Sequence, residues 1–118
     1  MAWGMGALLL AQKPTPATPT APRRNKVLVP VRYSAWLAGD LGRTLEATLL
    51  GALHDLKEPT VTRMPRAFVV EAAEEPGPML EAVHRAVQDL ERAVQQRYPV
   101  FHHQLGPVWA GTLQAVFA

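Results

Sequence analysis

Between residues 26 and 98, the spacing of apolar residues alternates between the period of a strand and the period of a helix. This alternation constrains the fold more than any other feature. Apolar residues occur at every second position across residues 27–33, and leucines recur every three or four positions across residues 37–56. A period of two is typical of a half-buried strand and a period near 3.6 of an amphipathic helix. The first half of the region therefore predicts a strand followed by helix.

The second half of the region repeats this order with an additional strand. Residues 60–64 and 66–72 predict two strands separated by Pro65, residues 79–98 a helix, and residues 112–118 a last strand or docked tail. Residues 26–118 are thus expected to form one α+β domain, with a small antiparallel sheet packed on helices.

Residues 1–25 are predicted to be an extended arm rich in proline, threonine and alanine. Four prolines lie between residues 14 and 22, and each fixes φ and removes a hydrogen-bond donor, which disfavours helix and sheet. The chain carries a net charge of +2, but residues 1–26 alone carry +4, from Lys13, Arg23, Arg24 and Lys26. The rest of the chain is slightly acidic, so a polyanion or an acidic partner is expected to bind the arm.

Residues 1–12 carry no charge and include the apolar run Leu8, Leu9 and Leu10. A helix that spans a bilayer needs about 20 apolar residues, so this segment predicts no membrane span. We expect the three leucines, together with Trp109, to contact a protein partner.

Pro30 distinguishes two arrangements of the predicted elements. In a ferredoxin-like split βαβ sandwich the first strand is central in the sheet, but a proline cannot donate to a ladder and is expected at a sheet edge. The alternative places the first strand at an edge. The segments Val-Leu-Val-Pro at 27–30 and Leu-Ala-Gly-Asp-Leu-Gly-Arg-Thr-Leu at 37–45 resemble the start of a KH domain. The resemblance covers residues 26–98.

The KH resemblance implies a site for single-stranded RNA at the turn Gly39-Asp40-Leu41-Gly42. In that family two glycines let the backbone approach the sugar-phosphate chain, and the N-terminus of the next helix faces it. The resemblance therefore implies nucleic-acid contacts at Gly39, Gly42 and Arg43, and the basic residues Arg23, Arg24 and Lys26 are expected to add to them. The alternative function is a structural subunit of a capsid, tail or ribonucleoprotein whose arm straps onto a neighbour, since Asp40 would repel phosphate.

Two further groups of residues are candidates for nucleic-acid contacts. The aromatic residues Tyr98, Phe101 and Trp109 follow one another after the predicted last helix and could stack bases or cover the core. Arg63 and Arg66 bracket Pro65 and could form a basic face with Arg43.

No catalytic motif is present, and we expect a binding module rather than an enzyme. The chain has no cysteine and a single serine, Ser34, which is expected to cap a helix. There is no Gly-x-Ser-x-Gly motif and no phosphate-binding Walker loop. His54, His84, His102 and His103 are interpreted as solvated or packed side chains, so no metal or cofactor is expected. The absence of cysteine does not define the compartment, and an intracellular location is favoured over a secreted one.

Overall fold

Four antiparallel strands form one sheet in the structure, a computed structural model that describes residues 24–116. The strands are β1 (Arg24–Pro30), β2 (Thr60–Arg63), β3 (Ala67–Ala73) and β4 (Gln114–Val116), in the order β2-β3-β1-β4 across the sheet. The predicted α+β class is confirmed. The strand β1 begins two residues before the predicted domain boundary, and the predicted arm otherwise lies outside the described residues.

Helical segments occupy the connections. They are a 3-10 helix (Ser34–Leu37), α1 (Gly39–Gly51), α2 (Pro76–Arg97) and α3 (Pro99–Leu105). The long helix α2 begins three residues earlier than predicted, because prolines are tolerated in the first helical turn. Pro99 ends α2, because a proline disfavours the helical conformation of the residue before it, and it begins α3, a helix that the sequence did not predict. Ser34 is the first residue of the 3-10 helix, where no side-chain cap is formed, so its predicted role was wrong.

The hydrophobic core lies between one face of the sheet and the helices. Alternation along each strand directs every second side chain to this inner face, and the helices α1 and α2 present their leucine and valine stripes to it. Its fully buried residues include Val27, Val29, Phe68, Val70, Leu49, Met79, Val83 and Val87. The opposite, outer face of the sheet is only partly buried.

The position of β1 corrects the prediction from Pro30. The strand is central, because it pairs with β3 along its length and with β4 through Lys26–Leu28. The carbonyl of Pro30 accepts a hydrogen bond from Ala110 N at 2.9 Å. Because the amide and carbonyl of a strand residue point to the same side, the missing N–H faces the segment after Ala110, before β4 begins. The proline therefore does not interrupt either ladder.

A central β1 is the arrangement of a split βαβ sandwich, but β4 lies outside residues 26–98, and within that range β1 pairs with β3 alone and lies at the edge of the sheet, as in a KH domain. Membership of either family stays a prediction.

Candidate nucleic-acid interface

The predicted Gly39–Gly42 turn forms the first turn of α1. Gly39 is exposed and has a φ of +53°, a left-handed conformation that glycine adopts without strain. Gly42 is buried, and a Cβ atom at this position would lie 2.2 Å from the Leu37 carbonyl oxygen and 2.6 Å from Nη1 of Arg63. The second glycine therefore makes room for close packing inside the protein.

The guanidinium of Arg63 holds the backbone on both sides of Ala38. Its Nη1 donates hydrogen bonds to the carbonyls of Leu37 and Gly39, each at 3.1 Å, and its Nε donates to Glu46 at 2.9 Å. The side chain is 30% exposed. Arg63 thus joins the end of β2 to the junction between the 3-10 helix and α1, rather than contributing to a basic face.

We expect Arg63→Met to lower the free energy of unfolding by about 1.5 kcal/mol, because it removes charge-assisted hydrogen bonds to two carbonyls and one carboxylate. Urea denaturation measures the change. Arg43→Met is the control, since Arg43 pairs only with Asp40 on the surface, where both side chains are more than two-thirds exposed. Equal stability of the two variants would contradict this role for Arg63.

The predicted basic residues of β1 lie at the opposite end of the sheet from Gly39. Arg24 lies 3.7 Å from a carboxylate oxygen of Glu58 and 3.6 Å from one of Glu71. Lys26 is directly opposite Glu71 in the register of β1 and β3. The structure therefore does not bring Arg24 and Lys26 together with Gly39, Gly42 and Arg43, and each of these cations has an acidic neighbour. Arg23, Leu8, Leu9 and Leu10 lie outside the described residues.

A different set of aromatic and basic residues converges where β1 ends. The backbone N–H of Val31 donates to the Arg66 carbonyl, and that of Arg32 to the Val108 carbonyl, both at 2.9 Å. The guanidinium carbon of Arg32 lies 5.8 Å from the ring centroid of Tyr33. These contacts place the loop after β1, the β2–β3 turn and the segment after α3 side by side.

Phe101 of α3 lies at the same end of the molecule, where it contacts the 3-10 helix. Its ring centroid lies 5.8 Å from that of the buried Trp36, whose backbone N–H donates to the Tyr33 carbonyl. Tyr33 is 47% exposed and Phe101 41% exposed, and the side chains of Arg32 and Arg66 are also exposed. We name the surface formed by Arg32, Tyr33, Arg66 and Phe101 the aromatic–basic end.

The charge of the aromatic–basic end is positive. The segments 31–34, 64–67 and 98–110 contain arginines and histidines but neither aspartate nor glutamate. Within residues 24–116, the ion pairs formed by arginines involve neither Arg32 nor Arg66. These two guanidinium groups are therefore available to an anion from solvent.

Sequence reasoning identified only part of this surface. It singled out Phe101 and Arg66 but missed Arg32 and Tyr33, which lie in what was predicted to be the end of a strand. Trp109 makes contacts within the chain: its Nε1 donates to the Thr112 carbonyl at 3.0 Å and its ring meets His84 edge-on. Its contact with a protein partner stays a prediction. Tyr98 is half-buried and packs against the core.

A carboxylate beneath this surface fixes one of its segments. Glu91 of α2 accepts hydrogen bonds from the backbone N–H groups of Val108 and Trp109, at 3.1 and 2.7 Å. Both oxygens are engaged, and the side chain is 20% exposed. Because Val108 in turn accepts from Arg32 N, Glu91 positions the loop that carries Arg32.

Neither a metal site nor a membrane span is found in the part of the chain that the structure describes. No group of three or more histidine, cysteine, aspartate or glutamate residues within 24–116 is arranged to hold a metal ion. Of the helices in that range, none combines the length and apolar character that crossing a bilayer requires.

Comparison with known proteins finds a likeness to solved structures. No protein-family model matches the chain, and no curated protein matches it significantly. Its fold is similar to the crystal structure of a "putative transposase" from Deinococcus radiodurans R1, with a TM-score of 0.63 over 89% of this chain and 85% of that one. The two sequences are 12% identical. At this identity the likeness concerns the fold alone.

Proposed function

We propose that this protein is a binding module for single-stranded nucleic acid and that the aromatic–basic end is its binding surface. The observation that carries the proposal is the adjacency of the segments that carry two exposed rings, Tyr33 and Phe101, and the guanidinium groups of Arg32 and Arg66, all of them segments without carboxylates. Unpaired bases stack on aromatic rings, while guanidinium groups pair with the phosphates between them.

The geometry of Arg32 and Tyr33 suits this task. A guanidinium that lies over a ring is partly ordered before any ligand arrives, so less side-chain entropy is lost on binding. Stacking of one base on an aromatic side chain contributes about 1–3 kcal/mol and tolerates any base sequence. We therefore expect binding with little sequence preference and a strong dependence on salt.

The KH resemblance suggested RNA, whereas the structural neighbour carries the description "putative transposase", which refers to an activity on DNA. Both polymers offer the same two chemical groups, an unstacked base and a phosphodiester. We therefore propose binding of single strands of either kind, and the experiment compares RNA with DNA directly.

The binding test measures the fluorescence anisotropy of labelled single-stranded DNA and RNA of about 12 nucleotides, at about 50 and 200 mM salt. We expect binding at the lower salt, and we expect Arg66→Ala to weaken it by about tenfold and to reduce the salt dependence by about one ion. Tyr33→Ala is expected to weaken binding by a similar factor through lost stacking. Arg92→Ala is the matched control, since Arg92 pairs with Asp89 on the exposed side of α2.

Two results would overturn the proposal: no measurable binding at the lower salt, or an equal loss of affinity in Arg92→Ala and Arg66→Ala. Asp40→Lys separates the aromatic–basic end from the Gly39–Gly42 turn. It replaces the carboxylate of that turn by a cation, so a marked gain in affinity would show that the turn, and not the aromatic–basic end, is the binding site.

We further propose that binding occurs without chemistry on the strand. After prolonged incubation with magnesium or manganese ions, the oligonucleotides are expected to run at full length on a denaturing gel. Cleaved or joined strands would show that the protein is an enzyme.

A further inference from the structure

The outer face of the sheet carries an apolar groove. Register places Thr62, Val69 and Leu28 in one row across β2, β3 and β1, with their side chains on the face opposite the core. An open groove of about 610 Å³ runs over this row. Met64 lines the groove beside the β2–β3 turn and is 49% exposed.

No helix within residues 24–116 covers this groove, because the helices pack on the inner face. The outer face of an antiparallel sheet is usually polar where it meets water. Here the row instead contains Leu28 and Val69, both half-buried. A contiguous exposed apolar patch of this kind usually marks a surface that binds another segment.

The charged residues that line the groove indicate what kind of segment it binds. Lys26 and Glu71 lie opposite each other in the register and both line the groove. Their charges offset each other, whereas Arg66, beside the β2–β3 turn, leaves the groove with one net positive charge. The rest of the lining is mostly apolar, so an apolar segment without positive charge fits best.

We propose that this groove binds residues 1–12 of the same chain through Leu8, Leu9 and Leu10. This is the uncharged, apolar segment identified in the sequence. Burial of three leucine side chains against Leu28, Val69 and Met64 removes apolar surface from water on both partners, which drives the association.

Residues 13–23, which connect the three leucines to β1, are long enough for the leucines to reach the groove. The chain enters β1 at Arg24, whose guanidinium donates to the Glu58 carbonyl at 3.0 Å and lies beside Glu71 at the edge of the groove. From there to Leu28 is four strand residues, or about 13 Å. The proline-rich residues 13–23 span about 34 Å when extended. A tether of this length also gives the leucines a high effective concentration at the groove of their own chain.

The experiment uses paramagnetic broadening in the full-length chain. The protein has no cysteine, so Ala11→Cys provides a single position for a nitroxide label. We expect the amide signals of Leu28, Thr62 and Val69 to lose most of their intensity, while those of Glu81 and Gln88, on the exposed side of α2, keep it. Replacement of Leu8, Leu9 and Leu10 by aspartate in the labelled chain is expected to restore the groove signals.

Three outcomes of the measurement on the labelled chain would overturn the inference. These are unchanged groove signals, equal broadening at Glu81 and Gln88, and broadening that persists in the triple aspartate variant. A mixture of nitroxide-labelled chains with separate isotope-labelled chains tests the second-copy alternative. Broadening in that mixture would assign the groove to a neighbouring copy, and so contradict binding within one chain. None of these measurements involves nucleic acid, so they do not depend on the proposed function.

Discussion

We expect Gly42→Ala to lower the free energy of unfolding by about 3 kcal/mol, because the added methyl group overpacks a site bounded by backbone. Its Cβ would lie 2.2 Å from the Leu37 carbonyl oxygen, and the Leu37 carbonyl is held by Arg63. Relief of the clash requires the 3-10 helix to move away from α1. That movement would also lengthen the hydrogen bonds from Arg63.

Urea denaturation followed by circular dichroism measures this change. Gly51→Ala is the matched control, since it makes the same substitution in the same helix, and apart from the adjacent residues and the local helix backbone no atom lies within 4 Å of the new Cβ. We expect the control to be as stable as the parent or more stable by up to about 1 kcal/mol, because alanine favours helix more than glycine does. If Gly42→Ala were as stable as Gly51→Ala, the close packing of Gly42 would be refuted.

We expect Glu91→Ala to lower the free energy of unfolding by about 3 kcal/mol, since two charge-assisted hydrogen bonds are lost and two N–H donors are left without an acceptor. One of these donors belongs to Val108, which is fully buried. The segment that carries Val108 and Trp109 is then no longer hydrogen-bonded to α2. The same variant is therefore expected to weaken nucleic-acid binding, because Arg32 is positioned by the Val108 carbonyl.

Glu91→Gln is expected to lose about half as much stability, because its carbonyl oxygen still accepts one hydrogen bond while its amide faces the other N–H. Asp89→Ala controls for the loss of a carboxylate from α2, since Asp89 pairs with Arg92 at the surface. Its expected cost is below about 0.5 kcal/mol. A cost for Glu91→Ala no larger than that of Asp89→Ala would show that the anchor does not stabilise the fold.

The elements that were predicted correctly are those in which the periodicity is strong and local. The helix at 79–98 and the strands on either side of Pro65 were found close to their predicted bounds, since an amphipathic stripe or an alternating run must bury one face wherever it packs. The stretch at 34–56 forms two helical segments and not one continuous helix. Its leucines continue at helical spacing, yet Ala38 is extended and separates a 3-10 helix from α1. Backbone contacts with Arg63 stabilise that break.

The candidate site was harder to predict than the elements. Arg32 and Tyr33 continue the alternation of β1 and gave no sign of a surface role. Their exposure depends on which segments lie beside the end of β1, and that is decided by hydrogen bonds to Arg66 and Val108, which are far away along the chain. The Gly39–Gly42 motif suggested a ligand because its two glycines permit close approach, but for Gly42 the approaching group belongs to the protein itself.

The spacing of apolar residues within short stretches was enough to predict the α+β class and the position of most elements. Packing between the elements places β1 at the centre of the sheet despite Pro30, puts Arg63 beside Gly42, and brings the segments of Arg32, Tyr33, Arg66 and Phe101 to one end. Each of these depends on contacts between residues far apart in sequence: Arg63 reaches a carbonyl 26 positions away, and Glu91 an amide 18 positions away. Such contacts are set by how the elements pack, and local patterns of residues do not encode them one by one.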